Sequence, residues 1–182
     1  MKTFYTKAGD KGKNIVGKNK INKDNPIMEI LGELDELNSL CGLARALIKN
    51  SKIKKFLKKV QEDIFIIQAI VAQKLFVNDK TRVFKFGEKK IEELEKIIND
   101  IGKGIKNINS FIVPGSNIES ARLDYLRAIA RKIERRIIKN SKKINLNKNI
   151  FAYLNRLSSL FFVLARYSAN SKGIKEENPQ YK

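Results

Sequence analysis

Residues 127–136 read R-A-I-A-R-K-I-E-R-R. The apolar residues Ile129, Ala130, Ile133 and Ile137 recur at three and four, the period of a helix with one buried stripe. Arg127, Arg131 and Arg135 stand at i, i+4 and i+8 and form a cationic ridge beside that stripe, with Glu134 as a local counter-charge. Arginine suits a helix half-buried at a polar site, because its planar fork grips carboxylates and phosphates through paired hydrogen bonds. Taken alone, the ridge is more simply a solvated face in a lysine-rich chain.

The same period recurs on both sides of this stretch. It predicts helices over residues 27–48, 52–77, 87–101, 118–139 and 148–169. Asn25-Pro26 signals the first helix start, and Asn50-Ser51 a cap for the second. Asn78-Asp79 ends the second, and Gly102 with Gly104 stops the third. Asn117 or Ser116 caps the fourth, with Glu119 supporting the cap. Residues 140–147 form a polar connection. With only three prolines and ten glycines, the chain reads as all-α, a bundle of five helices in a single domain. Residues 1–25 precede the bundle of 26–170, and residues 171–182 have the composition of a mobile tail.

Composition narrows the chemistry. The 182 residues carry 38 Lys+Arg against 19 Asp+Glu, a net charge of +19, which favours polyanionic partners such as nucleotides or nucleic acid. The aromatic residues are not interleaved with the basic ones as stacking platforms for bases would require, so nucleic acid is the weaker reading. No histidine occurs, which excludes Ser-His-Asp and Cys-His mechanisms and histidine metal sites. The single cysteine, Cys41, and an N-terminus without the apolar core of a signal peptide fit a cytoplasmic protein. The longest apolar run, 64–77, is broken by Gln68, Gln73 and Lys74, so no membrane span is expected.

Four stretches stand out, three of them polar and one apolar. Thr6-Lys7-Ala8-Gly9-Asp10-Lys11-Gly12-Lys13-Asn14 sets two glycines three apart, a backbone able to form an anion-binding nest, and Lys18, Lys20 and Lys23 follow. A lone G-x-x-G is equally an ordinary polar loop. Asp35 and Asn38 lie near the apolar stripe of the first helix, and Asn155, Ser158 and Ser159 interrupt that of the fifth. Phe111-Ile112-Val113 is a short apolar run before Pro114-Gly115, suited either to an exposed contact or to a hydrophobic staple on the fourth helix.

In order along the chain, these motifs resemble the PduO-type ATP:cob(I)alamin adenosyltransferases. T-x-x-G-D-x-G falls at 6–12, a D-D-P-like turn at 24–26 and G-x-x-D-E-L-N-S at 32–39. F-x-x-P-G falls at 111–115, R-x-x-x-R-x-x-E-R-R at 127–136 and N-R-L-S at 155–158. The resemblance implies a five-helix, ferritin-like bundle assembled as a homotrimer with active sites between subunits. It implies transfer of the 5′-deoxyadenosyl group of ATP to cob(I)alamin, an alkyl transfer giving adenosylcobalamin and triphosphate. Cob(I)alamin is the nucleophile, so no protein base is needed. Mg²⁺ is expected with the triphosphate. Thr6, Lys7, Ala8, Gly9, Asp10, Gly12, Asn14, Lys20 and Lys23 match the ATP-binding segment, and Arg131, Glu134, Arg135 and Asn155 the later ATP contacts. Asp35 and Arg127 match a catalytic pair bridging two subunits, and Phe111 an aromatic residue covering the lower corrinoid face. Asp35 and Asn38 are further corrinoid-side positions. A reductase and an adenosylcobalamin-dependent enzyme are the implied protein partners.

Four departures from the pattern are visible. Asn14 stands where the family has Ser or Thr, Lys20 where it has Arg, and Ser159 where N-R-L-S-D has Asp. The segment between Gly12 and Lys20 is one residue short. Two other readings stay open on the sequence alone: a basic helical nucleic-acid binder, and a member of the same fold that binds ATP or corrinoid without turning over.

Overall fold

The computed structural model describes residues 4–5, 7, 9–16, 19–75, 84–105 and 108–181. Five long helices dominate it: α1 (Pro26–Leu47), α2 (Ser51–Gln73), α3 (Lys89–Gly102), α4 (Ile118–Lys139) and, after a one-turn α5 (Ser141–Ile144), α6 (Lys148–Asn170). The five expected helices are therefore present. The second ends at Gln73, short of the expected Val77, and the stop at Asn78-Asp79 lies outside the described residues.

A small hairpin and a one-turn helix were not foreseen. β1 (Lys13–Val16) and β2 (Asn19–Asn22) form an antiparallel hairpin, with Lys13 opposite Asn22 and Val16 opposite Asn19. Its sequence is polar and lacks an apolar alternation, so its backbone pairing leaves no periodic signature. Asn19 Nδ2 fixes the hairpin to the end of α2 through the Leu75 carbonyl, at 3.1 Å. α5 interrupts the connection expected over 140–147, anchored by the buried Ile144 and Leu146 and closed by Asn145 at φ 45°.

Capping follows the sequence signals with one correction. Asn25 accepts from the Ile27 N–H, Asn50 from Lys52 and Ile53, and Asn147 from Asn149. At α4, Asn117 accepts from the N–H groups of Glu119 and Ser120, and the Ser120 hydroxyl closes the capping box on the Asn117 N–H. Glu119 does not support the cap. It turns inward, where its carboxylate accepts from the Lys49 N–H (2.9 Å), Lys172 Nζ (2.9 Å) and the Ser168 hydroxyl (3.1 Å). Glu119 thus ties the end of α1 and the end of α6 to the start of α4.

The remaining polar contacts fix helix directions. Asn38 of α1 accepts from Gln61 of α2 through its carbonyl, so the two helices run antiparallel across their short turn. Arg136 meets Glu29 and Glu33, and Lys132 meets Glu36, so α4 runs antiparallel to α1. Asn155 meets Glu134 while Arg166 meets Asp124, so α6 is antiparallel to α4, its most extensive neighbour. α3 lies along α6 in the same direction, with Glu95 on Arg156. The core between them is aliphatic, with Leu34, Leu57, Ile64, Leu123, Ile133, Leu157 and Leu164 fully buried. Burial pushes the Cys41 thiol in this core up to about 12. Among the charged groups that enter the interior, the Asp63 carboxylate is fully buried, and accepts from Lys90 Nζ and from the Tyr153 hydroxyl at 3.0 Å. Burial, reinforced by the Asp63 charge, holds that hydroxyl well above its usual range.

Candidate active-site cleft

Residues 108–117 cross from α3 to α4 and end in the turn at Pro114-Gly115. Gly115 sits at φ +111°, a region that an L side chain rarely enters. The turn lays Ser110, Phe111, Ile112 and Pro114 over the seam between α4 and α6. Together they enclose a cleft of about 430 Å³, whose other walls are Asp124, Arg127 and Arg131 of α4 and Ser158, Ser159, Phe162, Val163 and Arg166 of α6. Phe111 is 79% exposed, so it is not stapled onto α4. The open Phe111 ring stands at the mouth of the cleft.

The arginine ridge divides along this seam. Arg127 is half-buried, with its guanidinium 5.7 Å from the centroid of the Phe162 ring. Arg166 stacks on the same ring at 4.9 Å and is itself 2% exposed. Its charge is met by Asp124 at 2.6 Å and by Glu176, whose Oε1 lies 2.7 Å from Arg166 Nε, outside hydrogen-bond geometry. Arg131 is exposed and, among the described residues, enters no ion pair. The cleft therefore holds one neutralised arginine in its floor and two, Arg127 and Arg131, whose charge is available to an anion. Glu134 and Asn155 meet across the seam at 2.8 Å, and Arg156 donates to the Asn155 side-chain oxygen at 2.7 Å. Arg135 is exposed, whereas Arg136 is engaged with Glu29 and Glu33.

The N-terminal residues form a second cluster. Two turns close on the Lys7 and Gly9 carbonyls, Gly12 takes φ +70°, and the Lys23 N–H returns to the Gly12 carbonyl at 3.0 Å. A Cβ on Gly9 would lie 3.1 Å from Lys23 Nζ and 3.8 Å from Asn14 Oδ1, so the Gly9 backbone, the Lys23 ammonium and the Asn14 side chain lie close together. Gly9, Gly12, Asn14 and Lys23 thus form a small cradle with a cation at its lip. Asp10 lies in its turn, and Lys7 takes φ 55°. The register places Lys20 opposite Ile15, on the other face of the hairpin from Asn14 and Ile21. Thr6 and Ala8 lie outside the described residues.

Within one chain this cradle contributes nothing to the walls of the Phe111 cleft. Asp35 is exposed on α1, and among the described residues neither it nor Arg127 enters an ion pair. Asn38 is 4% exposed between α1 and α2, with its side-chain oxygen unpartnered, and does not face the cleft. Asp124, Phe162, Arg166 and Glu176 line or brace the cleft without having been singled out in the sequence. Arg166 alone had a signal, as the sole charge within 157–169.

The fold and the cleft define a helical-bundle protein with a lysine-lipped cradle in its N-terminal segment and a cationic, aromatic-lipped cleft between α4 and α6. The family model for cobalamin adenosyltransferases matches residues 4–168, and the chain belongs to that family. It is 32% identical over 169 residues to a corrinoid adenosyltransferase of Citrobacter freundii, covering 91% of this chain and 94% of that protein. It is 33% identical to the corrinoid adenosyltransferase MMAB of Bos taurus, over 97% of this chain and 74% of the relative. A solved variant of the PduO-type ATP:corrinoid adenosyltransferase from Lactobacillus reuteri, complexed with cobalamin and ATP, superposes with a TM-score of 0.90 at 30% identity, covering 98% of this chain and 100% of the other.

Proposed function

We propose that this protein is an ATP:corrinoid adenosyltransferase, moving the 5′-deoxyadenosyl group of ATP to cob(I)alamin. The observation that carries this reading is the meeting of Arg127, Arg131 and the open Phe111 ring in one cleft, in a chain of the cobalamin adenosyltransferase family. An anionic nucleotide and a broad apolar macrocycle together require that combination. The reaction forms a cobalt–carbon bond at C5′ and breaks the C5′–O bond, and the departing triphosphate takes the electron pair.

The chain's own groups position the reactants and stabilise charge. Gly9, Gly12, Asn14 and Lys23 hold the triphosphate, with Thr6, Lys7, Ala8, Asp10 and Lys20 completing the segment. Arg131 meets the negative charge that grows on the leaving group, and Glu134, Arg135 and Asn155 complete its surroundings. Phe111 lies against the lower corrinoid face and keeps an axial ligand away. Mg²⁺ would come in with the triphosphate held by this segment and would offset part of its negative charge.

The active unit in this reading is a homotrimer. Support comes from the separation of the cradle and the cleft within one chain, which a neighbouring copy would bring together. The same assembly gives Asp35 and Arg127 a partner in each other across the interface. Among the described residues no helix is long and apolar enough to cross a membrane, and a cytoplasmic setting is part of the proposal. A reductase supplying cob(I)alamin and an enzyme consuming adenosylcobalamin are the protein partners this chemistry calls for.

The test is a spectral one. Purified protein with ATP, Mg²⁺ and chemically reduced cobalamin is expected to convert the corrinoid absorption spectrum to that of adenosylcobalamin. ATP binding without conversion would instead identify a non-catalytic binder of the same fold.

A further inference from the structure

Phe111 has little packing of its own, so its place must be set through its backbone. That backbone is held by residues 176–178. Asn178 Nδ2 donates to the Phe111 carbonyl at 2.8 Å. The Val113 N–H donates to the Glu177 carbonyl, also at 2.8 Å. Glu176 Oε1 accepts from the Ser116 hydroxyl at 3.2 Å and lies 2.7 Å from Arg166 Nε. Arg166 in turn is fixed to Asp124 in the cleft floor. Pro179 and Tyr181 continue beside Phe111 along a shallow hollow of about 380 Å³.

We infer that residues 176–178 are a positioning strap for Phe111, coupling it through Glu176 and Arg166 to the wall that carries Arg127. The inference rests on the adenosyltransferase reading. A ring that must meet a flat ligand at a fixed depth loses effectiveness when its backbone wanders, because the ordering cost is then met on binding. The strap holds Phe111, Val113 and Ser116 within the turn, and no other segment among the described residues holds Phe111 or Val113 through backbone groups. Its action falls on the corrinoid half of the reaction and leaves the nucleotide half alone.

The experiment uses the full chain in its native assembly, with Asn178→Ala and Glu176→Gln each made alone and in a Phe111→Ala background. Asn178→Ala removes one exposed hydrogen bond and leaves the Arg166 ion pairs in place, so folding is spared. In the wild-type background it is expected to lower kcat/KM for cobalamin on the order of fivefold, what one hydrogen bond of positioning supplies. KM for ATP should not move. In the Phe111→Ala background the same substitutions should have less than about a twofold further effect, because their route of action is gone. Unchanged kcat/KM for cobalamin in both single variants overturns the strap, and so does an equal loss with and without Phe111. If the wild-type protein makes no adenosylcobalamin, the functional reading falls first and the strap with it, a result distinct from an active wild type with indifferent variants.

Discussion

Arg166 is a cation in the interior, and its neighbours explain why it is tolerated. A buried guanidinium is costly unless its charge is met, and here Asp124, Glu176 and the face of Phe162 meet it. Breaking a buried pair by removing one partner typically costs about 3–5 kcal/mol; because Glu176 remains, Asp124→Ala is expected near the lower end, about 3 kcal/mol, read from urea unfolding. Replacing both members with leucine should restore most of that loss. A loss of under about 1 kcal/mol for Asp124→Ala would show that Glu176 alone suffices. Arg131 carries the opposite expectation, since its charge is open to a ligand. Arg131→Ala should leave unfolding unchanged and lower kcat roughly 10²-fold, as the loss of one transition-state donor does elsewhere. Arg131, Arg127 and Phe111 were legible because each belongs to a contiguous motif whose spacing survives in one dimension. Arg166 was visible only as an oddity, because its partners come from another helix and from residues beyond α6. Lys20 illustrates the converse. It sits close to Lys23 in sequence, yet strand alternation turns it to the other face of the hairpin from Asn14.

Among the elements, α4 depends most on how it begins. Its first turn presents a carboxylate, Glu119, to Lys49 just beyond α1 and to the far end of α6. Burial pushes that carboxyl up, but the hydrogen bonds from the Lys49 N–H, Lys172 and Ser168 outweigh it and hold it below the ordinary value of 4.5. The sign follows from linkage. With the folded value depressed, the unfolded chain binds the proton more readily, so the contribution is present above the unfolded value and is lost as pH falls through the folded one. Stability should therefore decline as acid is added below about pH 4.5, and Glu119→Gln should flatten that part of the curve, as followed by thermal unfolding. An identical slope in the variant would assign the acid sensitivity to other carboxylates. Helix α4 and the other long helices were readable because their apolar period is unbroken over many turns. The hairpin and α5 were not, because each is short and held by tertiary anchors: Asn19 on Leu75 for one, Ile144 and Leu146 for the other. The contact between residues 176–178 and the Phe111 turn was likewise invisible, since polar tails of every kind share that composition.

At the scale of the whole molecule, the face of α1 that bears Asp35 is the one a second copy is expected to cover. The contact of Asn38 with Gln61 sets the register of the α1–α2 hairpin and brings Phe65 to the axial level of Asp35. Phe65 is 61% exposed, and Leu43 and Leu47 stand open on α1 beyond it. Large apolar side chains left open to water are what assembly would cover. Each chain carries +19, so copies repel one another until salt screens them. Two outcomes follow for sedimentation of the purified protein. The wild type should sediment at three times its 20.9 kDa chain mass, and the trimer should hold to lower protein concentration at ~0.15 M salt than at ~0.01 M, because the Debye length shrinks from about 30 Å to about 8 Å. Phe65→Asp should shift the protein toward monomer while helix content stays the same, since that side chain lies outside the core. Activity should then fall with dissociation, because Arg127 would lose the Asp35 of a neighbouring copy and the cleft would lose the neighbour's phosphate cradle. A Phe65→Asp protein that remains trimeric and fully active would move the subunit contact to another face of the bundle.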